Sequence, residues 1–244
     1  MSAPKRIFIT GATSGVGYEI AKQLIHTSHE LWLTGRNEAI LNEWQQQGAH
    51  IIPADLTDDH QRKHLIQNVP EVDVAILNAG VGTFSYAHEI KDEDMDTMIA
   101  LNVTAPMKLT KELLPIVKEQ FIFIGSQAGK VATPKASVYA ATKFALIGYT
   151  NALRLEQPNK VITVIHPGPI DSPFLDHADA TNTYRQKMGS VLLSAEEVAK
   201  KTIQTIGTKK RECNIPWYMG ISSKLYALAP SIVETIGKPF FNKK

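Results

Sequence analysis

An α/β fold, one doubly wound parallel sheet with helices on both faces, is what the order of apolar patterns in this chain predicts. Three observations carry it. Short aliphatic and aromatic runs alternate with longer stretches of helical spacing, the first run leads through a glycine-rich turn into a helix, and no linker, repeat or low-complexity run divides the chain. Alternating β and α segments give parallel strands joined by crossover helices. At 244 residues the chain fits a single domain, 1–244, long enough to bury a sizeable core.

The elements follow in order. RIFIT (Arg6–Thr10) is the first strand, and the turn Gly11-Ala12-Thr13-Ser14-Gly15-Val16-Gly17 leads into a helix over Gly15–His26. Further strands are expected at Glu30–Thr34, His50–Pro53, Val72–Asn78, Glu119–Ile124, Lys160–His166 and Glu212–Pro216; each run is short enough for a buried strand. The clearest remaining helices are Asp92–Val117, Ser137–Glu156 and Ser194–Ile206. Residues 169–193, with DSPF and the polar DHADATNT, read as a long irregular segment. A segment of that length in a compact domain is a lid or a disordered stretch. The tail, 220–244, places Ile221, Leu225, Leu228, Ile232 and Ile236 on a helical stripe that Pro230 interrupts, starting a second helix.

Composition removes several function classes. The 26 basic and 24 acidic residues leave a net charge of +2, with no bias toward nucleic acid or a membrane surface. Cys213 is the single cysteine, which excludes an intrachain disulfide and favours an intracellular compartment. MSAPK leads directly into the first strand without a signal-peptide core, and no run reaches the roughly 20 apolar residues of a membrane span. A cytoplasmic protein is expected.

The glycine turn has the context of a dinucleotide site, strand to turn to helix. Gly11 allows the tight turn, Gly15 lets the backbone approach a pyrophosphate, and Gly17 lets helix and strand pack closely. The helix N-terminus supplies N–H donors to phosphate. Downstream, Tyr139 and Lys143 share one face of a helix, and Ser126 follows the buried run FIFIG. A phenol beside an ammonium and a hydroxyl is a proton-donating device: a free phenol has a pKa of about 10, and a nearby Lys⁺ lowers it. Tyr18 and Lys22 repeat the spacing in the first helix. They have no upstream serine and read as a solvated helix face.

In these residues the chain resembles the short-chain dehydrogenase/reductase family over about residues 5 to 170. Thr10-Gly11-x-x-x-Gly15-x-Gly17 matches that family's cofactor turn, which adds Thr13, Ser14 and Val16 to the expected contacts. Asp55-Leu56 matches its adenine-contacting acid, Asn78-Ala79-Gly80 its strand-4 motif, Asn102 its helix-4 asparagine, and Pro167-Gly168 the turn after strand 6. Ile170 and Ser172 extend that turn toward the cofactor; Ser172 stands where the family often has Thr. The resemblance implies a Rossmann-type fold and hydride transfer between nicotinamide and a carbonyl or secondary alcohol. Tyr139 would protonate the alkoxide, Ser126 would hold its oxygen, Lys143 would bind the ribose and lower the phenol's pKa, and Asn102 would support a proton-carrying water. Residues 169–193 would close over the substrate. The long helices Asp92–Val117 and Ser137–Glu156 would pair with symmetry mates, giving a homodimer or homotetramer; the second is apolar around much of its circumference, which requires cover on more than one side.

Cofactor choice is read at the end of the second strand. An NAD enzyme of this fold places an acid about 20 residues beyond the glycines, whereas here the chain reads Leu33-Thr34-Gly35-Arg36-Asn37. Arg36 suits a 2′-phosphate, so NADP(H) is expected. His60 and His64 share a helix face without a third ligand, so no metal is expected, and His166 is assigned a structural role. Two other readings stay open: an NADP-binding regulator with vestigial activity, and a reductase of lipid-like ketones or 3-oxoacyl thioesters on a membrane surface. The second rests on the tail stripe and Lys243-Lys244.

Overall fold

A computed structural model describes residues 3–179 and 183–241. Residues 180–182 of the expected lid and the terminal Lys243-Lys244 lie outside the described residues. Seven parallel strands form the main sheet in the order β3-β2-β1-β4-β5-β6-β9. They are β1 (Arg6–Thr10), β2 (Glu30–Thr34), β3 (His50–Ile51), β4 (Val72–Leu77), β5 (Val117–Ile124), β6 (Val161–Pro167) and β9 (Glu212–Ile215). Strand order reverses beside β1, where β2 pairs on one edge and β4 on the other. A crevice opens at such a reversal, beyond the carboxyl ends of the strands.

The two faces of the sheet are separated by strand periodicity. Along β1, Ile7 and Ile9 join a core with α1 (Gly15–Leu24), α2 (Glu38–Gln46) and α9 (Ala195–Ile203). Phe8, one residue out of phase, joins the opposite core with α3 (Asp59–Asn68), α5 (Ala105–Leu113) and α6 (Ser137–Glu156). Local signals set the helix starts. Asn37 and Ser194 accept from the backbone N–H of Ile40 and Glu197 at 3.2 and 3.0 Å, and Asp58 caps α3 through His60 and Gln61.

The expected helix Asp92–Val117 is not continuous. It runs as α4 (Asp92–Ile99), a π-turn over Ala100–Thr104 and α5, and Val117 already belongs to β5. Pro106 supplies the reason. It has no N–H to give the carbonyl of Asn102, and its ring crowds that carbonyl. The chain widens instead, with the N–H of Ala105 donating to Ala100 O, five residues back.

The expected irregular segment is also built. It contains a two-stranded parallel ribbon, β7 (Ile170–Asp171) with β8 (Leu193–Ser194), and the short helices α7 (Pro173–Ala178) and α8 (Thr183–Met188). Arg185 fastens it, donating to Asp171 at 2.9 Å, to Asp176 at 2.6 Å and to the carbonyl of Ser172 at 3.3 Å. In the tail, α10 (Tyr218–Leu228) and α11 (Pro230–Phe241) divide at Pro230 as expected. Ile221, Leu225, Leu228, Ile232 and Ile236 stay exposed.

Candidate active site

The turn after β1 is tight. Gly11 has φ +67°, and a Cβ there would stand 2.8 Å from Asn78 Nδ2. Gly17 sits on the first turn of α1 against the carbonyl of Gly11, with no room for a side chain. Asn78 closes the crevice floor by donating from Nδ2 to the carbonyls of Thr10 and Gly11 at 3.0 and 3.3 Å. The Thr10 hydroxyl accepts from the N–H groups of Asn78 and Ala79 at 2.9 and 3.1 Å. Trp44, which the sequence did not single out, supports the turn through an Nε1 bond to Ala12 O of 3.0 Å. Ser14 caps α1 without a side-chain bond.

One cavity of about 820 Å³ gathers most of the expected residues. Gly11, Thr13, Ser14, Gly15 and Val16 line it from the turn, and Arg36, Asp55 and Leu56 from the ends of β2 and β3. Asn78, Ala79 and Gly80 enter from β4, Ser126 from β5, Tyr139 and Lys143 from α6, and Pro167, Gly168, Ile170 and Ser172 from the turn after β6. Burial works against the Asp55 carboxylate, but Thr57 hydrogen bonds and the charge of Arg36 hold its pKa below the ordinary value. Gly17 packs beneath the turn.

Ser126 begins a 3₁₀ turn over Gln127–Gly129, its hydroxyl accepting from Ala128 N at 3.0 Å, and it hydrogen-bonds the Tyr139 phenol. Tyr139 and Lys143 are both buried on α6. Lys143 Nζ lies 5.7 Å from the phenol ring centroid and donates to the carbonyl of Ile124 at 3.1 Å. The expected lowering of the phenol is not what this geometry gives. Burial pushes Tyr139 up to about 12, partly offset by the Ser126 bond, and pushes Lys143 down to about 8. Desolvation penalises each charged form, and it outweighs the attraction of an ammonium directed at a carbonyl rather than the phenol.

Asn102 stands behind the cavity rather than in it. Its Oδ1 accepts from Val81 N at 2.9 Å, and its Nδ2 donates to Val81 O at 2.7 Å and Thr142 Oγ1 at 3.2 Å. Its side chain ties the loop after β4 to helix α6. Tyr18 is half-buried, its ring centroid 4.8 Å from that of Trp44, and Lys22 pairs with Glu19 at 3.6 Å. That face is thus only partly solvated. His60 and His64 are exposed on α3, His64 in contact with Asn68. Among the described residues no group of three or more His, Cys, Asp or Glu could hold a metal, and no helix is long and apolar enough to cross a membrane.

His166 is buried where β6 pairs with β9, opposite Asn214. Burial and the charge of Lys130 push its pKa down to about 4, against the opposing pull of Glu212. The neighbouring groups tie down the Ser126 loop. Gln127 donates to His166 O and Asn214 Oδ1, both at 3.0 Å, and Lys130 to Glu212 at 2.7 Å. Sequence reasoning missed this network, and it missed the rings of Phe84 and Phe174 facing Tyr139 and of Tyr184 against Phe84. Only the DSPF signal touched any of them.

The comparisons agree with this geometry. The short chain dehydrogenase family model matches residues 5–183. Dehydrogenase/reductase SDR family member 7B of Mus musculus is 32% identical over 233 residues, covering 84% of this chain and 71% of that protein. An uncharacterized oxidoreductase of Staphylococcus epidermidis is 33% identical over 184 residues, 70% of this chain and 80% of the relative. Among solved structures, a closed serine dehydrogenase complexed with NADP+ superposes with a TM-score of 0.80 at 24% identity, covering 86% of this chain and 93% of that one. A short chain dehydrogenase/reductase from Burkholderia phymatum in complex with NAD gives 0.83 at 20% identity, covering 94% and 95%. With its fold, its glycine turn and these relatives in agreement, the chain belongs to the short-chain dehydrogenase/reductase family of oxidoreductases.

Proposed function

We propose that the protein is an NADP(H)-dependent reductase of carbonyl compounds, or the corresponding alcohol dehydrogenase, with Tyr139 as its general acid and base. The observation that carries the reading is the Ser126–Tyr139–Lys143 cluster opening into the same cavity as the glycine turn. The residues present fit a dinucleotide. The turn leaves N–H groups and the start of α1 facing the cavity, and the exposed Arg36 lining it at the end of β2 supports the 2′-phosphate reading. A bound nicotinamide would supply or accept the hydride.

The rest is the work of the chain. A phenol held near 12 keeps its proton at neutral pH and has it ready for an alkoxide. The Ser126 hydroxyl bonds the phenol and shares the substrate oxygen. Lys143, 5.7 Å from the ring, offsets the charge left on the phenolate as the proton departs. Asn102 keeps the Val81 loop and α6 in register, and its carbonyl, to which Pro106 has no N–H to give, accepts a water leading toward Lys143. Phe174 and Tyr184, from the described part of the segment after β6, close the substrate side. Exposed apolar groups on α4 and α6, Ile99 and Phe144, fit a homo-oligomer.

The test is Tyr139→Phe. Loss of the proton donor lowers kcat by about 10²–10⁴, while NADPH titrated by fluorescence binds with nearly unchanged affinity. A variant that reduces the best substrate of a carbonyl panel at the parent rate removes Tyr139 from the chemistry. The same substitution at Tyr18 leaves turnover unchanged.

A further inference from the structure

The cavity changes character along its length. At one end stand the glycine turn, Arg36 and Asp55, and at the other Tyr139. Arg36 follows β2 and Ser126 follows β5, three strands away in the order β2-β1-β4-β5. At about 4.8 Å per strand, this places the Arg36 end roughly 14 Å from the proton donor.

Around Tyr139 the walls are rings. Phe174 lies 5.6 Å from it between centroids and Phe84 6.0 Å, and Tyr184 closes on Phe84 at 5.2 Å. The rings of Phe84 and Phe174 stand edge to face at 6.4 Å. Among the described residues lining the cavity, the charged ones are Arg36, Asp55 and Lys143, and exposed His177 is the other titratable imidazole or amine. Lys143 is engaged with Ile124 O. A carboxylate or phosphate beside Tyr139 would therefore leave water without a cation built to receive it, which is costly. A ring or alkyl body loses nothing there and gains contact with three aromatic faces and edges.

We infer that the substrates are neutral carbonyl compounds with an aromatic or extended apolar body, held between Phe84, Phe174 and Tyr184, and that anionic keto acids are rejected. This rests on the hydride-transfer reading above, and names the substrate class of that same site.

A matched pair tests it: benzoylformate and its ethyl ester share the reacting ketone, and the ester replaces the anionic charge with a neutral ethyl group. With NADPH, the ester is expected to be reduced with kcat/KM about a hundredfold or more above the acid. Phe84→Ala and Phe174→Ala each raise KM for the ester about tenfold, leaving NADPH affinity unchanged. His177→Gln leaves the preference intact. Turnover of the acid at the ester's efficiency or better, abolished by Tyr139→Phe, overturns the substrate class while the reductase reading stands. Binding is read separately by calorimetry on the NADP⁺-loaded protein, so a catalytically silent chain still answers. Tighter binding of the ester supports the pocket, and equal, reversed or absent binding of the ester overturns it.

Discussion

Tyr139 and Lys143 sit one helical turn apart, and the same burial that strengthens the phenol's hold on its proton weakens the ammonium's. In the proposed mechanism the distance between them, 5.7 Å from ring to Nζ, lets the cation act on a developing phenolate without removing the ground-state proton. In the proposed function Arg36 is the residue on which cofactor choice turns. Arg36→Ala is expected to weaken NADPH by about 1.5–3 kcal/mol, roughly ten- to a hundredfold, since it removes a charge-assisted contact. NADH, without a 2′-phosphate, changes little. Fluorescence titration of both cofactors checks this, and equal losses take Arg36 out of the site. The residues of this pair and of the glycine turn were legible in the sequence because their chemistry depends on spacing within one element. Phe84, Phe174 and Tyr184 were not, because three separate segments bring them together around Tyr139.

At the scale of elements, periodicity identified the strands of the main sheet to within two residues at every end. It failed at Asp92–Val117, where apolar spacing continues through Pro106 although the hydrogen-bond ladder cannot. It failed again over residues 169–193, where the turns are short and polar and the ordering comes from Arg185 and the β7–β8 ribbon. The β6–β9 edge carries a pH dependence. His166 is neutral in the fold down to about pH 4, while an exposed imidazole protonates near 6.5. Its contribution is therefore complete above pH 6.5 and is lost as the pH falls from 6.5 to 4, up to about 3 kcal/mol. Urea unfolding at pH 7 and pH 4 of the parent and His166→Asn measures it. The parent loses more stability than the variant over that interval, and identical losses contradict the assignment.

For the whole molecule, the apolar surface left uncovered is the informative quantity. Phe144 and Leu155 on α6 are exposed, so the described part of the tail does not cover them, and the α10–α11 stripe is itself exposed from Trp217 to Ile236. Contiguous patches of this kind mark contact sites. Light scattering behind size exclusion is expected to give at least twice the 26.9 kDa chain mass at micromolar concentration. A monomeric mass refutes the oligomer. Ile232→Asp with Ile236→Asp then locates the interface: an unchanged mass assigns it to the helices flanking the sheet, and a fall to one chain assigns it to the tail.

The β7–β8 ribbon with α7 and α8 has a consequence for how such a chain diversifies. Phe174 and Tyr184 lie outside both apolar cores that stabilise the sheet, while their segment is held by Arg185 to Asp171 and Asp176 and by the β7–β8 ribbon, whose Leu193 joins the core. In the proposed site, substitutions confined to Phe174 and Tyr184 thus leave the two cores of the sheet intact. If the proposed function holds, selection can try new substrates in this segment while the glycine turn and Tyr139 stay under constraint, which makes it the place where related chains would be expected to differ most.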